Sequence, residues 1–521
     1  MNLNHPYIKY AYALLLSQKE DNVDFKKETL LEALSLQIQN GINNFRVKPT
    51  GAFIGKESVD FTGCDEQKGD PSNGVFLSPS ILSSDKAAGY IYKAAKSLLA
   101  ELPINMDKNT CASMSIAPIS GEYLTFSKSG AGRGKSKISY IEAALCAITT
   151  MTPDKPCLAY KEKSGGKIKR MNIAIIPDLE KEEELIKFIL LFNEMKRNNT
   201  SSLFKGSVYK EKNKKGEVVK EKPSRPKIYN GNFPNAPSSS ALGAVGLLGA
   251  IGEFSKRAEM KLEAEAVLES LKETTMYIIS YGDAKSFTYN HYIIDLAKEG
   301  KLRSIVDSIY YIQLYKGKRR DEPNEYEKLD LFSGRFLQIF NLPAFKDFMS
   351  FRGEYPEPLI TLLFTYFIKI EMISIEIVQS ARALGKWLNL VAYLVAKEEI
   401  KQGSPNYWDE IRKVKAKVLI ELESSAFSAK TGDALIAQTV ARAGRLSKMD
   451  VPESAALFME KANENDPNIL NLDQAKNLLI AFSRLQNRFQ KKEEPKVEKV
   501  DDVDDILSED IESEDLEDAQ V

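Results

Sequence analysis

Histidine and cysteine are scarce in this chain of 521 residues, which has two of the first and four of the second. His5 and His291 have no metal-type partner close in sequence, which removes most chemistry built on imidazole, including metal-dependent nucleases of the His–Asp kind. Cys64, Cys111, Cys146 and Cys157 are separated by 46, 34 and 10 residues, and no Cys-x-x-Cys pair occurs. Neither a disulfide framework nor a thiolate zinc site is expected, and reduced cytoplasm is the simplest compartment. Long apolar runs are also missing. The most apolar window, Leu359 to Ile368, is interrupted by Lys369 and Glu371 and is too short to span a bilayer. The N-terminus has neither a charged leader nor a small-residue cleavage site, so no signal peptide is expected. No Ser-His-Asp set, metal cluster or paired-Asp motif appears in a plausible setting. The expectation is a binding protein with no cofactor and no catalytic residues.

Charge is plentiful but unevenly placed. Lys and Arg total 72 against 73 Asp and Glu, yet residues 500–521 hold eleven acids and no base, which leaves residues 1–499 at +10. A moderately basic body favours polyanions. The single-sign block at the end makes 491–521 read as an acidic, disordered tail.

Along the chain, residues 1–240 read as a mixed α/β region. "KETLLEALSLQIQNG" (27–41) has helical spacing, and "SVDF" has strand character. "NIAIIPDLE" (172–180) is a buried strand stopped at Pro177, followed by the helix "KEEELIKFILLFNEMK". Residues 205–227 carry nine Lys or Arg against three acids and read as a basic hairpin turning at Lys214-Lys215-Gly216. From about 240 helical periodicity dominates, through 254–281, 288–317 and 325–349. Residues 351–490 read as an antiparallel bundle, with punctuation at 403–405, Gly432 and Pro452. The expected fold class is therefore an α+β N-terminal region followed by a mostly α-helical region, 241–350, that ends in a helical bundle. Within "LGAVGLLGAIGE", glycines recur every third residue (243, 246, 249, 252) and mark a thin helix face that admits another backbone.

"SGAGRGKS" (129–136) poses a choice. A nucleotide-binding P-loop needs glycine where Ser129 stands, a buried strand before it and a helix after it, with Asp178 as a candidate magnesium acid. The alternatives are a solvated turn and a glycine-rich loop whose N–H groups, with Lys128, Arg133, Lys135 and Lys137, hold nucleic-acid phosphates. The last reading is favoured. Lys210, Lys212, Lys214 and Lys215 would extend it along a duplex, and Asn230, Asn232 and Asn235 could reach base edges. In the bundle, Gln379, Arg382 and Lys386 form one polar stripe, and Arg442, Arg445 and Lys448 a second. Arg412, Lys413, Lys415 and Lys417 add a third. Each is either a wet helix face or part of a polyanion groove.

This layout, with "NIAIIPDLE", a basic insertion, "NFPNAPSSSALGAVGLLGAIGEF" and a C-terminal bundle, resembles the large subunit of type I CRISPR–Cas interference (Cascade) complexes. The resemblance implies a non-catalytic, DNA- and RNA-binding role. The N-terminal part would sit near the 5′ handle of the CRISPR guide RNA and inspect the protospacer-adjacent motif of target double-stranded DNA. The bundle, similar to the family's small subunit, would help hold the unwound strands. Backbone and handle-binding subunits would be partners, and a helicase–nuclease recruited transiently would do the cutting, with no membrane involved. A separate bundle product from an internal start at Met349 or Met372 is conceivable on the same ground. Two other readings stand beside it, an NTPase using 129–136 and a helical scaffold that binds no nucleic acid.

Overall fold

The computed structural model describes residues 5–19, 25–49, 57–61, 87–111, 137–164, 167–197, 207–212, 218–224, 240–280, 283–308, 312–315, 335–336, 338–340, 345–350, 352–403, 406–447, 449–464 and 466–486. The acidic tail lies outside them.

The N-terminal region assembles helices on a small antiparallel sheet. Helix α1 (Pro6–Ser17) starts with Pro at its first position, and the side chain of His5 accepts from the Tyr7 N–H at 3.2 Å. α2 (Lys27–Asn43) and α3 (Ala87–Asn105) pack on each other and on α4 (Tyr140–Met151), which packs on α1. Two ribbons accompany them: β1 (Phe45–Pro49) with β2 (Glu57–Phe61), and β3 (Asn109–Cys111) with β4 (Lys137–Ser139). The main sheet has the order β10-β9-β6-β5, with β5 spanning Cys157–Ser164, β6 Lys167–Pro177, β9 Thr275–Ser280 and β10 Asp283–Thr288. All three of its pairings are antiparallel. Between them in sequence lie α5 (Glu182–Arg197), the isolated hairpin β7 (Ser207–Lys212) and β8 (Val218–Ser224), α6 (Ser240–Phe254) and α7 (Lys261–Ser270).

The sheet corrects the helical reading of 254–281. "TMYIIS" is rich in β-branched and aromatic residues, which suit a pleated surface. Ile278 and Ile279 of β9 are in register with Ile175 and Ala174 of β6, so the second edge of β6 is covered by chain from much later in the sequence. α6 packs on β9 and β6. The thin face appears at Gly252, where an added Cβ would lie 2.3 Å from the Ala297 carbonyl oxygen. That oxygen belongs to α8 (His291–Lys298), which ends at Gly300 with φ +66° and is followed by α9 (Leu302–Ser308).

The C-terminal bundle begins after β11 (Gln313–Leu314), α10 (Phe345–Met349) and β12 (Gly353–Glu354), where β11 and β12 pair antiparallel. α11 (Leu359–Thr365) runs into a π-helical turn, Tyr366–Ile370, and stops. The longest helix, α12 (Ile375–Glu399), follows and packs against α13 (Tyr407–Ser428), α14 (Gly432–Ser447), α15 (Ala456–Glu464) and α16 (Leu472–Ser483). The chain is thus an α+β N-terminal region followed by a mostly helical region ending in a bundle. Among the described residues no helix is long and apolar enough to cross a membrane.

Candidate nucleic-acid interface

α12 is positioned by its apolar face. Ile377, Val378, Ala381, Leu384, Leu388, Val391 and Ala392 are all buried, at the three-and-four spacing of a core-facing helix. Ser374 caps its start by accepting from the Ile377 N–H at 3.4 Å. The opposite face carries Gln379, Arg382, Lys386 and Lys397, all exposed, with Leu390 and Tyr393 half-buried between them. From 377 to 397 the sequence contains no Asp or Glu. Arg382 and Lys397 have no ion-pair partner among the described residues. A cation on a helix commonly meets an acid one turn away. None of Arg382, Lys386 and Lys397 has one at that spacing, since the acids of α12 are Glu376, Glu398 and Glu399 at its ends. The row is therefore a positive strip with no acid of its own, about 25 Å long at the α-helical rise.

The other two stripes of the bundle divide into free and occupied groups. On α13, Lys413 and Lys417 are exposed and unpaired among the described residues, while Arg412 lies 3.3 Å from Asp409. Lys415, grouped with them by sequence, is a correction. It is buried and paired with Glu354 of β12 at 2.7 Å, because it follows the buried Ile411 by one turn and shares its side of the helix. On α14, Arg442 is exposed but reaches Glu421 at 2.8 Å and donates to Ser425 Oγ at 3.3 Å, so it ties α14 to α13. Arg445 is exposed and unpaired among the described residues. Lys448 lies outside the described residues.

The glycine-rich loop is described only where it ends. Lys128, Arg133 and Lys135 lie outside the described residues, and Lys137 is exposed on β4, opposite Cys111. The junction with α4 does not have P-loop form. In that motif the lysine and serine open the helix, whereas here three extended residues intervene. The N-terminus of α4 is already closed by a capping box. Ser139 Oγ accepts from the Glu142 N–H at 3.1 Å and the Glu142 carboxylate accepts from the Ser139 N–H at 2.8 Å. Asp178, the candidate magnesium acid, holds Lys9 at 2.9 Å. Neither point lends the NTPase alternative support.

In the basic hairpin, Lys210 is in register with Glu221 and Lys212 with Val218, with an irregularity between Glu211 and Lys212. Lys214, Lys215, Asn230, Asn232 and Asn235 lie outside the described residues. A groove of about 830 Å³ between α1, α5 and α7 holds Lys187, Lys196 and Arg197. It also holds Asp154, Glu194 and Glu263, and two of its cations are paired, Lys196 with Asp154 at 3.0 Å and Arg197 with Glu194 at 3.6 Å. That balance does not suit a polyanion. Among the described residues no cluster of His, Cys, Asp or Glu could hold a metal ion.

Lys397 is the residue that stripe reading missed. It lies three helical turns beyond Lys386, and the signal was the acid-free run rather than a local spacing.

Comparison with curated proteins found no match, nor did comparison with solved structures. The sequence matches the family model described as CRISPR-associated protein Csp2 over residues 5–486, which takes in both the sheet-bearing half and the bundle. The chain therefore belongs to the CRISPR-associated protein Csp2 family.

Proposed function

We propose that the chain is a non-catalytic, nucleic-acid-binding large subunit of a type I CRISPR RNA-guided complex. Membership of the Csp2 family supports the CRISPR assignment. The observation that carries the polyanion contact is the α12 face, where Arg382, Lys386 and Lys397 are exposed on a stretch with no acid. Such a strip neutralises backbone phosphates without reading bases, and each contact adds affinity by releasing counterions. In this reading the bundle steadies unwound target strands. The N-terminal half, with Lys137 at the end of its glycine-rich loop, approaches the guide handle and the protospacer-adjacent motif. Strand cleavage falls to a recruited helicase–nuclease.

The test is the assembled complex carrying Arg382→Glu with Lys397→Glu. Target-duplex affinity at low salt is expected to fall by about tenfold or more, with a shallower dependence on salt. Equal affinity with an unchanged salt slope would remove this face from the model.

A further inference from the structure

We propose that the acidic C-terminal segment, residues 501–521, docks within its own chain on the Arg382–Lys386–Lys397 face of α12. The docking stands independently of the function above; its consequence, competition with nucleic acid, rests on that reading.

The first ground is complementarity. The segment contains eleven acids and no base. Arg382, Lys386 and Lys397 stand exposed on a run, 377–397, that has no acid, the acids of α12 being confined to its ends at Glu376, Glu398 and Glu399. Arg382 and Lys397 have no ion-pair partner among the described residues. The second ground is where the described chain ends. α16 closes against the middle of α12, with Gly385 abutting Phe482 and Ser483, and Asn389 donating to the Ser483 carbonyl at 2.8 Å. Arg382 and Lys386 flank Gly385 in sequence, so α16 ends against the stretch of α12 that carries the first two cations of the strip. Its last described residue, Gln486, is pinned by its N–H to the Tyr355 carbonyl at 2.8 Å.

Length is the third ground. Residues 487–500 lie between that pin and Asp501, where the base-free segment begins. At ~3.3 Å per extended residue they reach about 46 Å, more than the ~37 Å length of α12. Tethering at that distance gives the segment an effective concentration on the order of millimolar at the face. The segment also has Val503, Ile506, Leu507 and Ile511 at three-and-four spacing. Between Lys386 and Lys397 the face offers the half-buried Leu390, Tyr393 and Leu394. Eleven carboxylates held there act as a tethered substitute for a phosphate backbone, which a longer polyanion must displace.

Two measurements on the full chain decide it. Zero-length carbodiimide coupling at low ionic strength is expected to join carboxylates of 501–518 to Lys386 or Lys397. Mixing isotopically light and heavy protein should show these links to be intramolecular, and high salt should abolish them. Links only to other lysines, links only between chains, or none at all would overturn the docking. In the second measurement all eleven acids are exchanged for their amides, from Asp501→Asn to Asp518→Asn. The exchanged chain should bind a random-sequence single-stranded oligonucleotide about tenfold more tightly than the native chain at low salt, with the gap closing as salt rises. Equal, measurable affinity of the two chains would overturn the competition. If the Lys386 or Lys397 links form and neither chain binds the oligonucleotide, the docking is supported and the nucleic-acid reading is what fails.

Discussion

Arg484 is fully buried, and four of the five N–H donors of its guanidinium have partners. Its Nε and Nη2 donate to the two Glu423 oxygens at 2.7 and 2.9 Å, and Nη1 donates to the Met349 carbonyl at 2.6 Å and to Tyr355 Oη at 3.1 Å. Burial works against its charge, while the Glu423 carboxylate holds the guanidinium protonated, and the net shift of its pKa is upward. Burial in turn pushes the phenol of Tyr355 up, so it stays neutral. A buried pair of this kind is worth little net against apolar residues of the same size, but removing one partner strands a charge. Arg484→Ala is therefore expected to destabilise the protein by about 3–5 kcal/mol. The double variant Arg484→Met with Glu423→Leu should recover most of that loss in urea unfolding. Additive losses in this cycle would contradict the account.

At the scale of elements, Gly385 shows why residue propensity misleads in isolation. Glycine inside a helix costs about 1 kcal/mol relative to alanine, and α12 would be the better helix with alanine there. Yet a Cβ at 385 would lie 2.5 Å from Phe482 Cβ and 2.6 Å from its carbonyl carbon. Gly385→Ala must push α16 away from α12, so the net effect is expected to be destabilising by about 1–3 kcal/mol. Denaturant midpoints that rise instead would show that the two helices do not touch there. Much of this architecture is legible in the sequence. α2, α5 and the bundle helices follow apolar periodicity, and strand β6 follows the run "NIAIIP". What escapes are features set by distant partners. Nothing in the apolar spacing of 358–400 marks a break, but Met372 adopts φ 57°. Glu371 is held there by Tyr366 Oη at 2.6 Å and Gln474 Nε2 at 2.9 Å, so α16 dictates a break that local spacing does not encode. β9 has a strand-forming run of its own, but its place in the sheet is set by pairing with β6, about a hundred residues earlier. At the candidate site the cation stripes are visible from spacing, but their availability is not. Lys415 and Arg442 are spoken for by Glu354 and Glu421, 61 and 21 residues away in sequence.

Across the whole molecule the bundle is not a free-standing unit that starts at its first long helix. Tyr355 joins it by two main-chain bonds, from its N–H to the Arg484 carbonyl at 2.7 Å and from the Gln486 N–H to its carbonyl at 2.8 Å. Glu354 answers the buried Lys415, and the Met349 carbonyl answers Arg484. A product starting at Met372 would lack all three residues, leaving Lys415 buried without its carboxylate and Arg484 without two of its acceptors. It would also lack Phe364 and Phe367, whose rings lie 5.7 and 5.9 Å from that of Phe482. A product starting at Met349 keeps every one of these contacts. Stranding a buried charge costs several kcal/mol, against a total stability of about 5–15 kcal/mol for a domain. The expectation is that residues 349–486 yield a compact helical species with cooperative unfolding, while residues 372–486 elute as aggregate or melt without a transition. Circular dichroism melts and size-exclusion profiles of the two fragments would decide this, and equal stability would mean that the 349–371 segment merely lies against the bundle without completing its core.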